Sequence, residues 1–177
     1  MQLDKLLASL EQVKHAPTEL WDPPDCGEVP IHINERGEWS YQNSPIRREK
    51  LVRLLASVLV KEGDDYFLVT PVEKMQITVA DAPFLITQWR WHGDAKPPVM
   101  QLTTNMGDEF PLSEQHPLVV KNGVPYVDVG RHLLARVHRN VYYQWVESLF
   151  EQALQLDANG QLTLTSAGKS FKLGKVE

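Results

Sequence analysis

Turn-forming clusters cut this chain into short pieces: Asn34-Glu35-Arg36-Gly37, Glu62-Gly63-Asp64-Asp65, Asp81-Ala82-Pro83, Lys121-Asn122-Gly123 and Asp157-Ala158-Asn159-Gly160. Glycine supplies φ > 0, Asn and Asp tolerate it, and proline presets its own φ, so each cluster reverses or breaks the chain. Most of what lies between them alternates apolar with polar residues. Ile31 and Ile33 answer Trp39 and Tyr41 across the first cluster, and Leu118 to Val120 answers Val124 to Val129 across Asn122-Gly123. These are hairpins of short strands. The same pattern predicts strands at Tyr66 to Thr70, Ile77 to Val79, Phe84 to Trp91 and Val99 to Thr103, with a terminal pair through Leu162, Leu164 and Phe171. The proline-rich stretch from Pro17 to Pro30 reads as an ordered loop anchored by Trp21, because proline removes the donors that helix and central strand need.

Helical spacing occurs in three places. Leu3, Leu6, Leu7 and Leu10 make the stripe of a short N-terminal helix. Ser44-Pro45 offers an N-cap oxygen and a preset first residue, followed by an apolar face of Leu51, Leu54, Leu55 and Val58. That helix is expected to start at Pro45 and to give way near Ala56 to a strand over Val58 to Val60. Asn140 as N-cap, with Val141, Tyr142, Trp145, Val146, Leu149 and Phe150 on one face, predicts a further helix from Asn140 to Ala153.

Hairpin, helix, turn and strand thus occur twice. A shift of 95 residues brings Ile46 onto Val141, Leu54 onto Leu149 and Leu59 onto Leu154. The expectation is an α+β protein of two small domains, residues 1–81 and 82–177, built on a repeated hairpin–helix–strand motif. A length of 177 residues suits two such domains.

The charge balance narrows the partners. With 18 Lys and Arg against 23 Asp and Glu, the net charge is -5, so no broad basic surface exists for bulk nucleic acid or anionic membranes. A local basic site is untouched by that argument. Cys26 is the one cysteine, so no intramolecular disulfide forms. Asp4 and Glu11 interrupt the first leucines, which is unlike a signal peptide, and the longest apolar run falls far short of the roughly 20 residues that a bilayer demands. A cytoplasmic location is expected.

The familiar chemical signatures are missing. There is no G-x-G-x-x-G, no P-loop and no G-x-S-x-G, and the histidines show no metal-ligand spacing, so neither cofactor nor metal is expected. Cys26 with His32 or His15 is the minimum for a thiol nucleophile and its base, but no third group orients them. Trp39, Tyr41, Trp89 and Trp91 alternate on their strands and read as core faces rather than a base-stacking platform.

Positive charge, however, is concentrated. Arg47, Arg48, Lys50 and Arg53 open one helix, and Arg131, Arg136 and Arg139 precede another, so seven of the 18 cations occupy two short segments. Cations near a helix N-terminus oppose the macrodipole, and a bound anion would relieve that conflict. The plainer alternative is a solvated face, or pairing with Glu28, Glu35, Glu38, Glu49 or Glu73.

The chain also resembles the uncharacterised bacterial domain-of-unknown-function family 1285. The resemblance rests on Cys26-Gly27, Gly37-Glu38-Trp39, Ser44-Pro45-Ile46, Leu51-Val52-Arg53-Leu54, Leu68-Val69-Thr70-Pro71-Val72-Glu73-Lys74, Asp81-Ala82-Pro83-Phe84, Thr104-Asn105, His116-Pro117-Leu118, Pro125-Tyr126, Ala135-Arg136 and Tyr142-Tyr143. It implies a duplicated α+β core, a C-terminal domain resembling a pleckstrin-homology-like β-barrel with a capping helix, and a nucleotide-like ligand held between the domains in a signalling role. The chain departs from the family pattern at Pro30-Ile31-His32 and at Arg47.

Together these readings point to a non-enzymatic regulatory protein that binds a small anionic, nucleotide-like ligand at the domain interface. Arg48, Arg53, Arg136 and Arg139 would neutralise the ligand, Thr70, Thr104 and Asn105 would hydrogen-bond it, and Tyr142 would cover its apolar part. The alternative is a protein-interaction adaptor whose arginines meet an acidic partner. A thiol-dependent hydrolase is the third reading.

Overall fold

The structure, a computed structural model, describes residues 15–175. The stripe of Leu3, Leu6, Leu7 and Leu10 lies outside the described residues. The described residues divide into two compact units, one holding residues 15–83 with Arg131–Leu133, the other Phe84–Gly130 with residues 134–175. Fifteen strands and two α-helices make both units mostly β among the described residues.

The N-terminal unit contains β1 (Asp25–Ile33), β2 (Trp39–Tyr41), β3 (Ser44–Pro45), helix α1 (Glu49–Ser57), β4 (Leu59–Glu62), β5 (Asp65–Val69) and β6 (Lys74–Val79). They form one sheet in the order β3-β2-β1-β6-β5-β4. Neighbours are antiparallel except β1 and β6, which run parallel. Ile31, Ile33, Trp39, Leu59, Phe67, Leu68 and Ile77 are buried. Ala56 is the buried residue of α1.

Two expectations fail in this unit. The proline-rich stretch is not all loop: its second half is β1, a central strand. Pro30 is accommodated because the β1–β6 register shifts between Asp25 and Glu28 and again between Glu28 and His32, so the ladder is already interrupted where proline lacks a donor. Helix α1 begins at Glu49 rather than Pro45. Gln42 and Asn43 both take positive φ (49° and 68°), which closes a tight hairpin and puts Ser44-Pro45 on the sheet edge, a position where proline costs no hydrogen bond. The apolar face of α1 is not a core face, since Leu51 and Leu54 are exposed. The switch from helix to strand after Ala56 is as expected, with the β4–β5 hairpin turning at Gly63-Asp64.

The C-terminal unit contains β7 (Phe84–His92), β8 (Val99–Thr104), β9 (Glu109–Pro111), β10 (Leu118–Lys121), β11 (Val124–Gly130), β12 (Leu133–Val137, whose first residue groups with the other unit), helix α2 (Arg139–Ser148), β13 (Leu154–Leu156), β14 (Gln161–Ser166) and β15 (Lys169–Lys175). One sheet runs β10-β11-β12-β7-β8-β9 and a second β13-β14-β15. As in the other unit, the first and sixth strands of the larger sheet, β7 and β12, pair in parallel. Phe84, Ile86, Leu102, Phe110, Val137, Val141, Trp145 and Leu149 are buried, as are Leu154, Leu162, Leu164 and Phe171 of the small sheet.

Ser166 joins the two sheets of this unit: its hydroxyl accepts from Met100 N at 2.9 Å and donates to Leu112 O at 2.7 Å. Helix α2 is shorter than expected, starting after His138 and ending at Ser148. The N-cap is His138, whose Nδ1 accepts from Asn140 N at 3.1 Å, so Asn140 is helical instead. Trp39 is buried as expected of a core face, whereas Tyr41 is exposed and Trp89 and Trp91 are half-buried.

Candidate functional site

Five of the eight expected ligand residues lie in the C-terminal unit, and strand register gathers them at one end of its sheet. Arg136 pairs with Leu85 and Val137 with Ile86 across the parallel β12–β7 ladder, while Thr104 pairs with Ile86 from β8. Asn105, just past β8, grips the same spot: its N–H donates to Leu85 O at 2.9 Å, and its Oδ1 accepts from Leu85 N at 3.1 Å. Arg136, Leu85 and Asn105 therefore stand in a row across three neighbouring segments.

Helix α2 begins beside that row. His138 N donates to Ile86 O at 3.0 Å, which carries β12 pairing up to the N-cap itself. Arg139 is the first helical residue, exposed, with no acidic residue in its turn. The backbone donors that follow are occupied, since Val141 N and Tyr142 N both reach His138 O. An anion at this corner would therefore meet guanidinium groups rather than free N–H groups. Tyr142 is half-buried one turn along, its ring meeting that of Tyr143 edge-on with centroids 6.3 Å apart. Thr104 is buried and its hydroxyl accepts from Met106 N at 3.2 Å, so it shapes the turn behind the corner.

The other three residues belong to the N-terminal unit and are spread along α1. Arg48 is its N-cap without a side-chain capping bond, and Arg53 is exposed on the second turn. Thr70 lies at the far end of the helix: Val69 N donates to Val58 O at 3.0 Å, just past the last turn. Nine residues span about 13 Å, which keeps Thr70 and Arg48 apart. Thr70 closes its own turn, its hydroxyl accepting from Glu73 N at 3.0 Å. Among the described residues Arg47, Arg48, Lys50 and Arg53 have no ion pair or side-chain hydrogen bond, whereas Arg36 meets Glu38 at 3.9 Å and Lys74 meets Glu62.

The same unit has a groove that sequence reasoning did not find. It encloses about 630 Å³ over the β2–β1–β6 face and is lined by Glu28, His32, Ser40, Gln42, Asn43 and Thr78 among others. Register sets Ser40, His32 and Thr78 in one cross-strand row, with His32 Nδ1 and Thr78 Oγ1 2.7 Å apart. The chain spacing between these residues hides the row, because β1 and β6 are distant in sequence. For the thiol reading, the Cys26 side chain is outside the described ones, and His15 Nδ1 sits 2.9 Å from Ala16 O. Among the described residues no three or more His, Cys, Asp or Glu side chains cluster so as to hold a metal ion, and no helix is long and apolar enough to cross a membrane.

Comparison with known proteins follows the division into two units. Residues 16–82 match the family model described as "Domain of unknown function (DUF1285), N-terminal domain", and residues 83–173 match the corresponding C-terminal domain. No curated protein matches the chain. Among solved structures, a DUF1285 family protein from Silicibacter pomeroyi DSS-3 is 32% identical, with 99% of this chain and 96% of that one covered and a TM-score of 0.82. A second, from Shewanella baltica OS155, is 28% identical over 67% of this chain and 91% of that one, with a TM-score of 0.56.

Proposed function

The chain belongs to the DUF1285 family, a family of unknown function, and from that footing we propose that it is a non-catalytic regulatory module that binds a small anionic, nucleotide-like ligand. The single observation behind this reading is the corner of the C-terminal unit where Arg136 and Arg139 stand beside the start of α2 with no acid in the helix's first turn. An exposed cation at that position opposes the helix dipole, at a cost of about 0.3–1 kcal/mol, and a bound anion offsets it. Tyr142 supplies a ring for the ligand's apolar part, and the Thr104-Asn105 turn fixes the floor by its clamp on Leu85. Arg48 and Arg53 form a cationic group on the N-terminal unit. The finer architecture that accompanies this reading is a duplicated motif with a pleckstrin-homology-like C-terminal domain.

The test is a thermal-shift titration with inorganic phosphate, AMP, ATP and cyclic dinucleotides, with product analysis of each mixture. A nucleotide should raise Tm without turnover, and Arg136→Ala with Arg139→Ala should abolish the rise. No shift across the panel, or a released product, would sink the proposal.

A further inference from the structure

A helix nine residues long normally earns its place by burying an apolar stripe, yet α1 leaves much of its stripe uncovered. Leu51 is 38% and Leu54 62% exposed, although their i, i+3 spacing puts them on one edge of the helix. Lys50 and Arg53 flank Leu54 on the adjoining edge, and Arg47 and Arg48 precede the first turn. All four cations are exposed and, among the described residues, unpaired. Glu49 is the one acid between Arg47 and Arg53.

Two more uncovered aliphatic side chains belong to segments fastened to the last turn of this helix. Ala16 N donates to Ser57 O at 2.9 Å and leads into the turn that carries Leu20, which is 78% exposed. Val69 N donates to Val58 O at 3.0 Å and leads into the turn that carries Val72, 72% exposed. The unit thus shows exposed Leu and Val around one helix, with a dense cationic group along it.

We propose that α1 is a peripheral docking face for anionic lipid surfaces. The charge complementarity is local: the chain as a whole is acidic at -5, whereas the α1 segment from Arg47 to Arg53 carries four cations against one acid. Lysine and arginine keep their heads in the phosphate layer while their stems and the neighbouring leucines enter the acyl boundary. The arginines suit a protein or a lipid partner alike, but the uncovered side chains beside them are aliphatic Leu and Val, types under-represented among protein–protein anchors, which favours lipid. The absence of a broad basic surface does not weigh against this, since interfacial binding needs a short cationic rim and an apolar wedge rather than a basic face.

Sedimentation of the full chain with vesicles tests the proposal, using phosphatidylcholine alone and phosphatidylcholine with about 30 mol% phosphatidylserine at low salt. Binding to the anionic vesicles should exceed binding to the neutral ones at least about tenfold and should fall as salt rises. Leu51→Ser with Leu54→Ser, and separately Arg47→Gln with Arg48→Gln and Arg53→Gln, should each weaken it about tenfold or more. Unchanged far-ultraviolet circular dichroism and a Tm no lower than the parent's in these surface variants show that folding is not the cause. Absence of binding, equal binding to neutral vesicles, or variants that bind like the parent would each overturn the proposal, and absence would redirect the search to an acidic protein.

Discussion

Ser166 and Met100, on separate sheets of the C-terminal unit, are joined by a 2.9 Å hydrogen bond from the Met100 amide to the Ser166 hydroxyl, which in turn donates to Leu112 O at 2.7 Å. The serine is buried, so its removal leaves a donor and an acceptor without partners away from water. Ser166→Ala should cost about 2–3 kcal/mol and lower Tm by roughly 5–10 °C in a circular-dichroism melt. A loss below about 0.5 kcal/mol would mean that the two sheets do not depend on this bridge.

Asn105 offers a cleaner comparison of two substitutions. Its Oδ1 is the acceptor for Leu85 N, so Asn105→Ala orphans that amide while Asn105→Asp keeps an oxygen in place. We expect a loss of about 1–2 kcal/mol for alanine and a smaller one for aspartate, read by urea denaturation. Equal losses would show that the hydrogen bond from Leu85 N to Asn105 Oδ1 carries nothing.

Tyr66 provides a pH signature. Burial pushes its phenol above the ordinary 10.0, and the carboxylates of Asp81 and Asp64 push it in the same direction. The folded state therefore holds this proton more tightly than the unfolded chain. Its stabilising contribution is complete below about pH 10 and declines as pH rises through the raised value. Absorbance at the phenolate band should show one late-titrating tyrosine that disappears in Tyr66→Phe; a phenol ionising with the exposed tyrosines would contradict the burial argument.

Helix α1 should accept a better cap. Arg48 makes no side-chain capping bond, and its charge opposes the dipole. Arg48→Asp supplies an acceptor for the first-turn amides and a favourable charge, with an expected gain of about 1 kcal/mol in chemical denaturation. An unchanged midpoint would show that α1 is held wholly by its neighbours.

How much of this was legible beforehand depended on how local the deciding interactions are. Asn122-Gly123 takes positive φ at both positions and joins β10 to β11 as read, because the turn chemistry sits in the turn itself. Ser44-Pro45 misled because its two residues suit a helix start and a sheet edge equally, and the choice was made by Gln42 and Asn43 adopting the left-handed region, which Asn43 tolerates but Gln42 does not advertise. The exposure of Leu51 and Leu54 was not legible, because helical periodicity reports which residues share a face, never whether that face is covered. At the candidate site, the arginines were visible as a density of charge. The roles of Thr70, Thr104 and Asn105 were not, since each depends on a backbone partner that only the folded chain supplies.

The parallel pairing of β1 with β6 and of β7 with β12 has a consequence for how the chain is made. In each unit the two strands at the centre of the six-stranded sheet are the first and the last of that sheet to be synthesised, with His32 meeting Thr78 and Ile86 meeting Val137. Each half-sheet waits with an open inner edge until its closing strand leaves the ribosome, and loop closure over such separations makes that joining slow. A nascent chain stopped short of Lys74, or short of Leu133 for the second unit, would present that edge to any other strand within reach. Translation speed across these segments is thus a variable on which the yield of soluble protein depends.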